Sequence, residues 1–321
     1  MEAFLMKNAK RRSMKKTIIH KRARSLREIK MSGMYRLLVV VAITYSFGGC
    51  VKDGLSNTPH PGKGAVEVTT DWTGRSSDAV LPDSYVLRIG AQEQTVSGET
   101  NAFDALFPPG KQDLLVYHRT DGITIDGDVA TVDTRTDGTL EPLPGYLFAA
   151  AETPVVVQDD TVKVTVPMQQ YIRTLTLVLA LEPGDETRIE GTTATLTGIA
   201  PSINLVRGTL VATGGKTVAP VFAIGTDAGR TRAAGQPVLA ATVRMLGTAG
   251  GERQVLTLVI TRTDGYVQTF TSDLTDALKN FNGTDVEPLE LDATLELPKE
   301  AGMSGAISGW NVVDNGEIKV D

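Results

Sequence analysis

Cys50 is the single cysteine of this 321-residue chain, and it stands directly after the apolar run LLVVVAITYSF and two glycines. One thiol cannot form an internal disulfide. The three histidines, His20, His60 and His118, have none of the spacing of a Cys/His metal cage. Other stretches mimic chemistry without completing it. GTLVATGGKT ends like a phosphate-binding loop but places Leu210 where the first glycine is required, so it reads as a hairpin. DTRTDG, residues 133–138, begins like a calcium loop. Arg135 takes a ligand position, however, and Pro144 stands where a bidentate glutamate belongs, which leaves a turn. There is no Gly-x-Ser-x-Gly elbow, and no carboxylate pair is set in an aromatic cleft that would mark an acid and a base. The tryptophans, Trp72 and Trp310, serve equally as core residues or as platforms for a sugar ring. The expectation is a protein that is not an enzyme, with no cofactor and no metal, whose one chemically distinctive atom is the Cys50 sulfur.

The elements around Cys50 say what that sulfur is for. Residues 1–49 carry 12 of the 32 Lys+Arg and 2 of the 38 Asp+Glu, so from residue 50 onward the balance is 20 − 36 = −16. An acidic body disfavours direct binding to nucleic acid or to an anionic membrane surface, because phosphates repel carboxylates and few counterions are released. The apolar stretch Leu37–Phe47 is about half of the ~20 residues a membrane-spanning helix needs. A short apolar core after positive charge, ending in small residues, is the pattern of a secretory signal peptide. The basic leader ahead of it is long, which places the true start at Met31 or Met34; a nucleic-acid-binding arm is the alternative. The junction SFGGC resembles the lipobox of bacterial lipoproteins, with Phe47 where leucine is usual. That resemblance implies diacylglycerol on the Cys50 sulfur and an acyl chain, such as palmitate, on its amino group. Residues 50–61 then read as a lipidated flexible tether, rich in Gly, Pro, Ser and Asn.

From Gly64 onward Val, Thr, Ile and Leu alternate with polar residues in short runs broken by Gly, Pro, Asp and Asn, the pattern of strands and turns. In RTLTLVLAL, Leu175, Leu177, Leu179 and Leu181 share one strand face, while Thr174 and Thr176 point nearer solvent. The Asp264-Gly265 step predicts a hairpin joining VLTLVI to YVQTF. One brief helix is predicted over SDLTDALKNF, capped by Ser272 or Asp273 and burying Leu274, Leu278 and Phe281. The fold class is all-β. Two domains are expected, at 62–168 and 169–321, because one core seldom grows past about 250 residues.

Taken together, LPDSYVLRIG from Leu81, PPGKQDLLVYH from Pro108, ATLTGIAPSINLVRG from Ala194, DGYVQTFTSDLTDAL from Asp264 and ISGWNVVDNGEI from Ile307 resemble the FimB/Mfa-type fimbrial subunits of Bacteroidales. The resemblance implies two tandem transthyretin-like β-sandwich domains on a lipidated N-terminus. It also implies an outer-membrane, surface-exposed location and fimbrial subunits as partners, joined by β-strand addition. In fimbrillins an arginine-specific protease removes an N-terminal segment, whereas anchor subunits keep their lipid. Arg75 in TGRSS is thus either a cut site or an exposed turn. Retention of the lipid, with this chain as fimbrial anchor or accessory subunit, is the leading expectation. A surface glycan-binding or adhesin lipoprotein is the alternative.

Overall fold

The computed structural model describes residues 62–226, 235–299 and 304–313. The leader, Cys50, the tether and the end of the ISGWNVVDNGEI stretch lie outside the described residues. What is described is almost wholly strand. A single 3₁₀ turn, Asp185–Arg188, is the one helical element among the described residues.

Residues up to 170 form two sheets. In the smaller, Ala65–Asp71 runs between Thr161–Pro167, to which it is parallel, and the antiparallel Thr100–Ala102. Its alternation is strict: Val66 and Val68 are fully buried between half-buried neighbours. The larger is antiparallel, in the order Gln169–Gln170, Phe148–Glu152, Leu114–Tyr117, Tyr85–Ile89, Gln92–Val96. Its inner strands are apolar almost throughout, YVLRI and LLVY, as expected of strands covered on both faces.

Residues from 173 onward form two more sheets. One has the order Ala223–Thr226, Pro237–Met245, Arg173–Ala180, Leu289–Glu296, Ala306–Val313. The other has the order Lys216–Val218, Ile189–Ile199, Val255–Arg262, Val267–Asp273. Arg173–Ala180 is central in the first, antiparallel to Pro237–Met245 and parallel to Leu289–Glu296. Leu175, Leu177, Leu179 and Leu181 are all at most 1% exposed, as the two-residue period predicts.

A further four-stranded sheet joins the earlier and later sequence. Val129–Val132 of the hairpin with Ile123–Asp126 pairs antiparallel with Ser202–Asn204, which is followed by Thr209–Leu210. Thr131 and Ser202 stand opposite each other, with their hydroxyls 2.9 Å apart.

The 262–267 hairpin forms as expected. Gly265, at φ +80°, closes it by donating to the Arg262 carbonyl at 2.8 Å. The predicted helix does not form. Ser272 and Asp273, its expected caps, are the last residues of Val267–Asp273 and pair with Leu256 and Val255. Asp273 instead accepts from the amide and hydroxyl of Thr275, and the chain continues as turns. The apolar face was nonetheless read correctly: Leu274, Leu278 and Phe281 are buried. Tertiary pairing had taken the residues that would have nucleated the helix.

Candidate assembly surface

A chain whose partners add strands needs an open sheet edge, and a sheet edge is a row of backbone N–H and C=O groups with a ladder neighbour on one side only. In the Arg173–Ala180 sheet the edges are Ala306–Val313 and Ala223–Thr226. The first, AISGWNVV, has no fully buried residue, and Val312 is 56% exposed. It runs antiparallel to Leu289–Glu296, with a break in register between Asp292 and Thr294. Two side chains pin it: Ile307 and Trp310 pack partly against the core, and the Trp310 Nε1 donates to Ser272 Oγ at 2.7 Å. Ser272 belongs to a different sheet, so one indole ties the edge strand across the layers. The opposite edge, AIGT, is exposed at all four positions. Among the earlier residues, Thr161–Pro167 and Gln92–Val96 are also edges with outward polar side chains.

Away from the edges, a partly buried polar cluster ties the loop after Trp72 to later strands. The Ser76 amide donates to Gln170 Oε1 at 2.8 Å, and Ser76 Oγ donates to Asp78 Oδ1 at 2.6 Å. Asp78 Oδ2 accepts from Thr174 Oγ1 at 2.6 Å and from the Tyr146 hydroxyl. Partial burial works against the Asp78 carboxylate, but the donated bonds from Ser76, Thr174 and Tyr146 prevail and lower its pKa. Burial first, and then Asp78, pushes the Tyr146 hydroxyl the other way. Arg244 lies over the Tyr146 ring at 4.3 Å. Thr174 was expected nearer solvent and is instead 8% exposed, because this cluster covers it. Nearby, Arg173 donates to the Glu287 carbonyl at 2.6 Å and pairs with Asp285 at 3.0 Å.

The cluster bears on Arg75. Its side chain is exposed, but Ser76 is 1% exposed with its amide held by Gln170, and Ser77 is held by Glu287. A protease needs the bond after arginine in an extended, accessible strand, and here its amide is tied down.

The other sequence candidates are structural. Trp72 meets Tyr85 and Phe148 edge-to-face at 5.7 and 5.4 Å, and its Nε1 donates to Thr70 Oγ1 at 2.8 Å. It lines an open cleft of about 600 Å³ with Leu81 and Pro82, but its ring is committed to packing. His118 sits 3.1 Å from the Tyr146 carbonyl, and burial lowers its pKa. Among the described residues no group of three or more His, Cys, Asp or Glu side chains could hold a metal ion.

Sequence reasoning missed Pro237–Met245, whose buried Leu239, Ala241, Val243 and Met245 keep a two-residue period that alanines diluted. It missed the polar cluster too, and no local signal marks that one.

The model of the fimbrillin-A-associated anchor proteins Mfa1 and Mfa2 matches residues 55–316. The chain belongs to this family. Solved structures share the fold at low identity. The fimbrial anchor protein Mfa2 from Porphyromonas gingivalis is 11% identical, with 78% of this chain and 97% of that one covered at TM-score 0.53. A protein from Bacteroides thetaiotaomicron described as a candidate adhesin is 14% identical, with 80% and 100% covered at TM-score 0.53. A second such protein, from Bacteroides ovatus, is 14% identical, with 77% and 93% covered at TM-score 0.52. No curated protein matches. The family name carries a fimbrial association at the cell surface. Among the described residues no helix is long and apolar enough to cross a membrane.

Proposed function

We propose that this anchor-family chain is a non-enzymatic outer-membrane lipoprotein that holds a fimbrium to the cell, attached through Cys50 and joined to fimbrial subunits by strand addition. The body acts as two tandem transthyretin-like sandwiches, 62–168 and 169–321. The observation that carries the reading is the edge strand Ala306–Val313: eight residues paired on one side only among the described residues, lightly buried, held across the layers by one indole. Backbone pairing along such an edge gives affinity, and the alternating side chains give choice of partner.

Affinity isolation of the full-length protein from its native host tests the reading. Recovery of polymeric fimbrial subunits with wild-type protein, and loss of membrane attachment in Cys50→Ser, is the expected result. Retention on a glycan array with no fimbrial subunit recovered would favour the glycan-binding alternative. Fatty-acid labelling that leaves Cys50 unmodified would remove the anchor.

A further inference from the structure

We infer that the body rests one particular corner on the lipid leaflet: the corner where the tether enters, formed by Leu106, Val155 and Val157. The inference rests on lipidation at Cys50 and adds to it a contact surface.

The chain enters the described body at Gly62 and Lys63. Gly64 exchanges both backbone hydrogen bonds with Phe107 at 2.9 Å. On the other flank, the Asp159 amide donates to the Lys63 carbonyl at 3.0 Å and the Ala65 amide to the Asp160 carbonyl at 2.9 Å. A Cβ on Gly64 would stand 2.0 Å from the Val157 carbonyl oxygen, so this close approach admits only glycine. The segments 106–107 and 155–160 therefore flank the entry point in a fixed arrangement.

Their exposed side chains are Leu106, Val155 and Val157, with Gln158, Asp159 and Asp160 beside them on the same two segments. Phe107 and Val156 are buried at 4% and 2%, and the residues alternating with them, Leu106, Val155 and Val157, are 42%, 54% and 51% exposed. Scattered exposed aliphatics need no explanation, but these three fall on the two segments that flank one entry point. The charges around it are mixed: Lys63 and Lys111 against Asp104, Asp159 and Asp160. These charges give no net attraction to anionic headgroups, so contact has to come from apolar insertion.

The tether selects the occupant. Eleven residues separate Cys50 from Gly62, a span of about 40 Å fully extended and roughly 20 Å as a flexible coil. An acylated Cys50 fixes the leaflet within that distance, so contact becomes an intramolecular event at high effective concentration. A patch too small to bind membrane alone then suffices.

The test uses full-length lipidated protein on vesicles of phosphatidylethanolamine and phosphatidylglycerol. Because lipidation consumes the Cys50 sulfur, Val157→Cys supplies the one free thiol for a nitroxide, and Val312→Cys on the C-terminal edge serves as control. Both positions are about half exposed, so the labelled proteins keep the wild-type unfolding curve. The expected result is that the label at 157 gains oxygen accessibility and loses accessibility to a water-soluble nickel chelate on vesicles, while the label at 312 changes in neither. The shift persists at high salt. Equal accessibilities at the two positions on vesicle-bound protein overturn the inference and leave lipidation standing. So does a label at 157 that changes only when fimbrial subunit is added. Protein that carries an unmodified Cys50 and stays in the supernatant overturns both.

Discussion

Arg173–Ala180 and Ala306–Val313 are each eight residues long and lie two strands apart in one sheet, with Leu289–Glu296 between them. The first, RTLTLVLA, is paired on both sides and has six buried residues; the second, AISGWNVV, is paired on one side and has none. Two strands of equal length thus serve two ends. The central strand converts leucine area into stability. The edge strand keeps its backbone available and hangs on Trp310. The difference teaches that this fold separates what holds it together from what it can offer a partner.

Leu177→Ala should cost about 2–5 kcal/mol in urea unfolding, since Leu177 is fully buried and the cavity cannot collapse between two ladders. A loss below about 1 kcal/mol would mean the central strand is not the keystone.

Next is the polar cluster on the central strand's first residues. Asp78→Asn removes a carboxylate that accepts from Ser76, Thr174 and Tyr146 and should cost about 1–2 kcal/mol at neutral pH, given its partial exposure. The pH dependence has a fixed sign. The folded-state pKa of Asp78 is lowered, so its contribution is complete above about pH 4 and is lost as pH falls through the folded value. The variant should therefore show a flatter acid limb than wild type below about pH 4. Asp273, held to a pKa of about 2 by Thr275 first and then Arg253, keeps part of that limb in the variant, between about pH 4 and 2.

At the edge the effects shrink. Trp310→Ala, losing a half-buried indole and its bond to Ser272, should cost roughly 1–2 kcal/mol and raise amide exchange along 306–313 ahead of the rest of the sheet. Val312→Lys should change stability by no more than about 0.5 kcal/mol while weakening recovery of fimbrial subunits from the host. Unchanged recovery would send the search for the joining surface to Ala223–Thr226.

Several elements were legible because their causes are local. The leucine face of 175–181 follows from a two-residue period, and the 262–267 hairpin from a glycine that accepts positive φ. The failed helix shows the limit. Its apolar set was placed correctly, but Ser272 and Asp273 were claimed by a ladder with Val255 and Leu256. The Asp78 cluster was invisible for the same kind of reason: Asp78, Tyr146 and Thr174 are separated by 68 and 28 residues and become neighbours only after the sheets assemble.

By itself the sequence determined that the body is all-β, which leucines point inward, and that a lone cysteine after an apolar leader is the candidate point of attachment. Side-chain period, turn chemistry and composition act over a few residues and need no distant partner. Only the tertiary structure decided which strands become edges, which polar residues are buried, and which apolar residues ring the entry of the tether. Those outcomes depend on ladder neighbours far apart in the chain, as when Leu175 pairs with Leu289, and no local pattern encodes such a pairing.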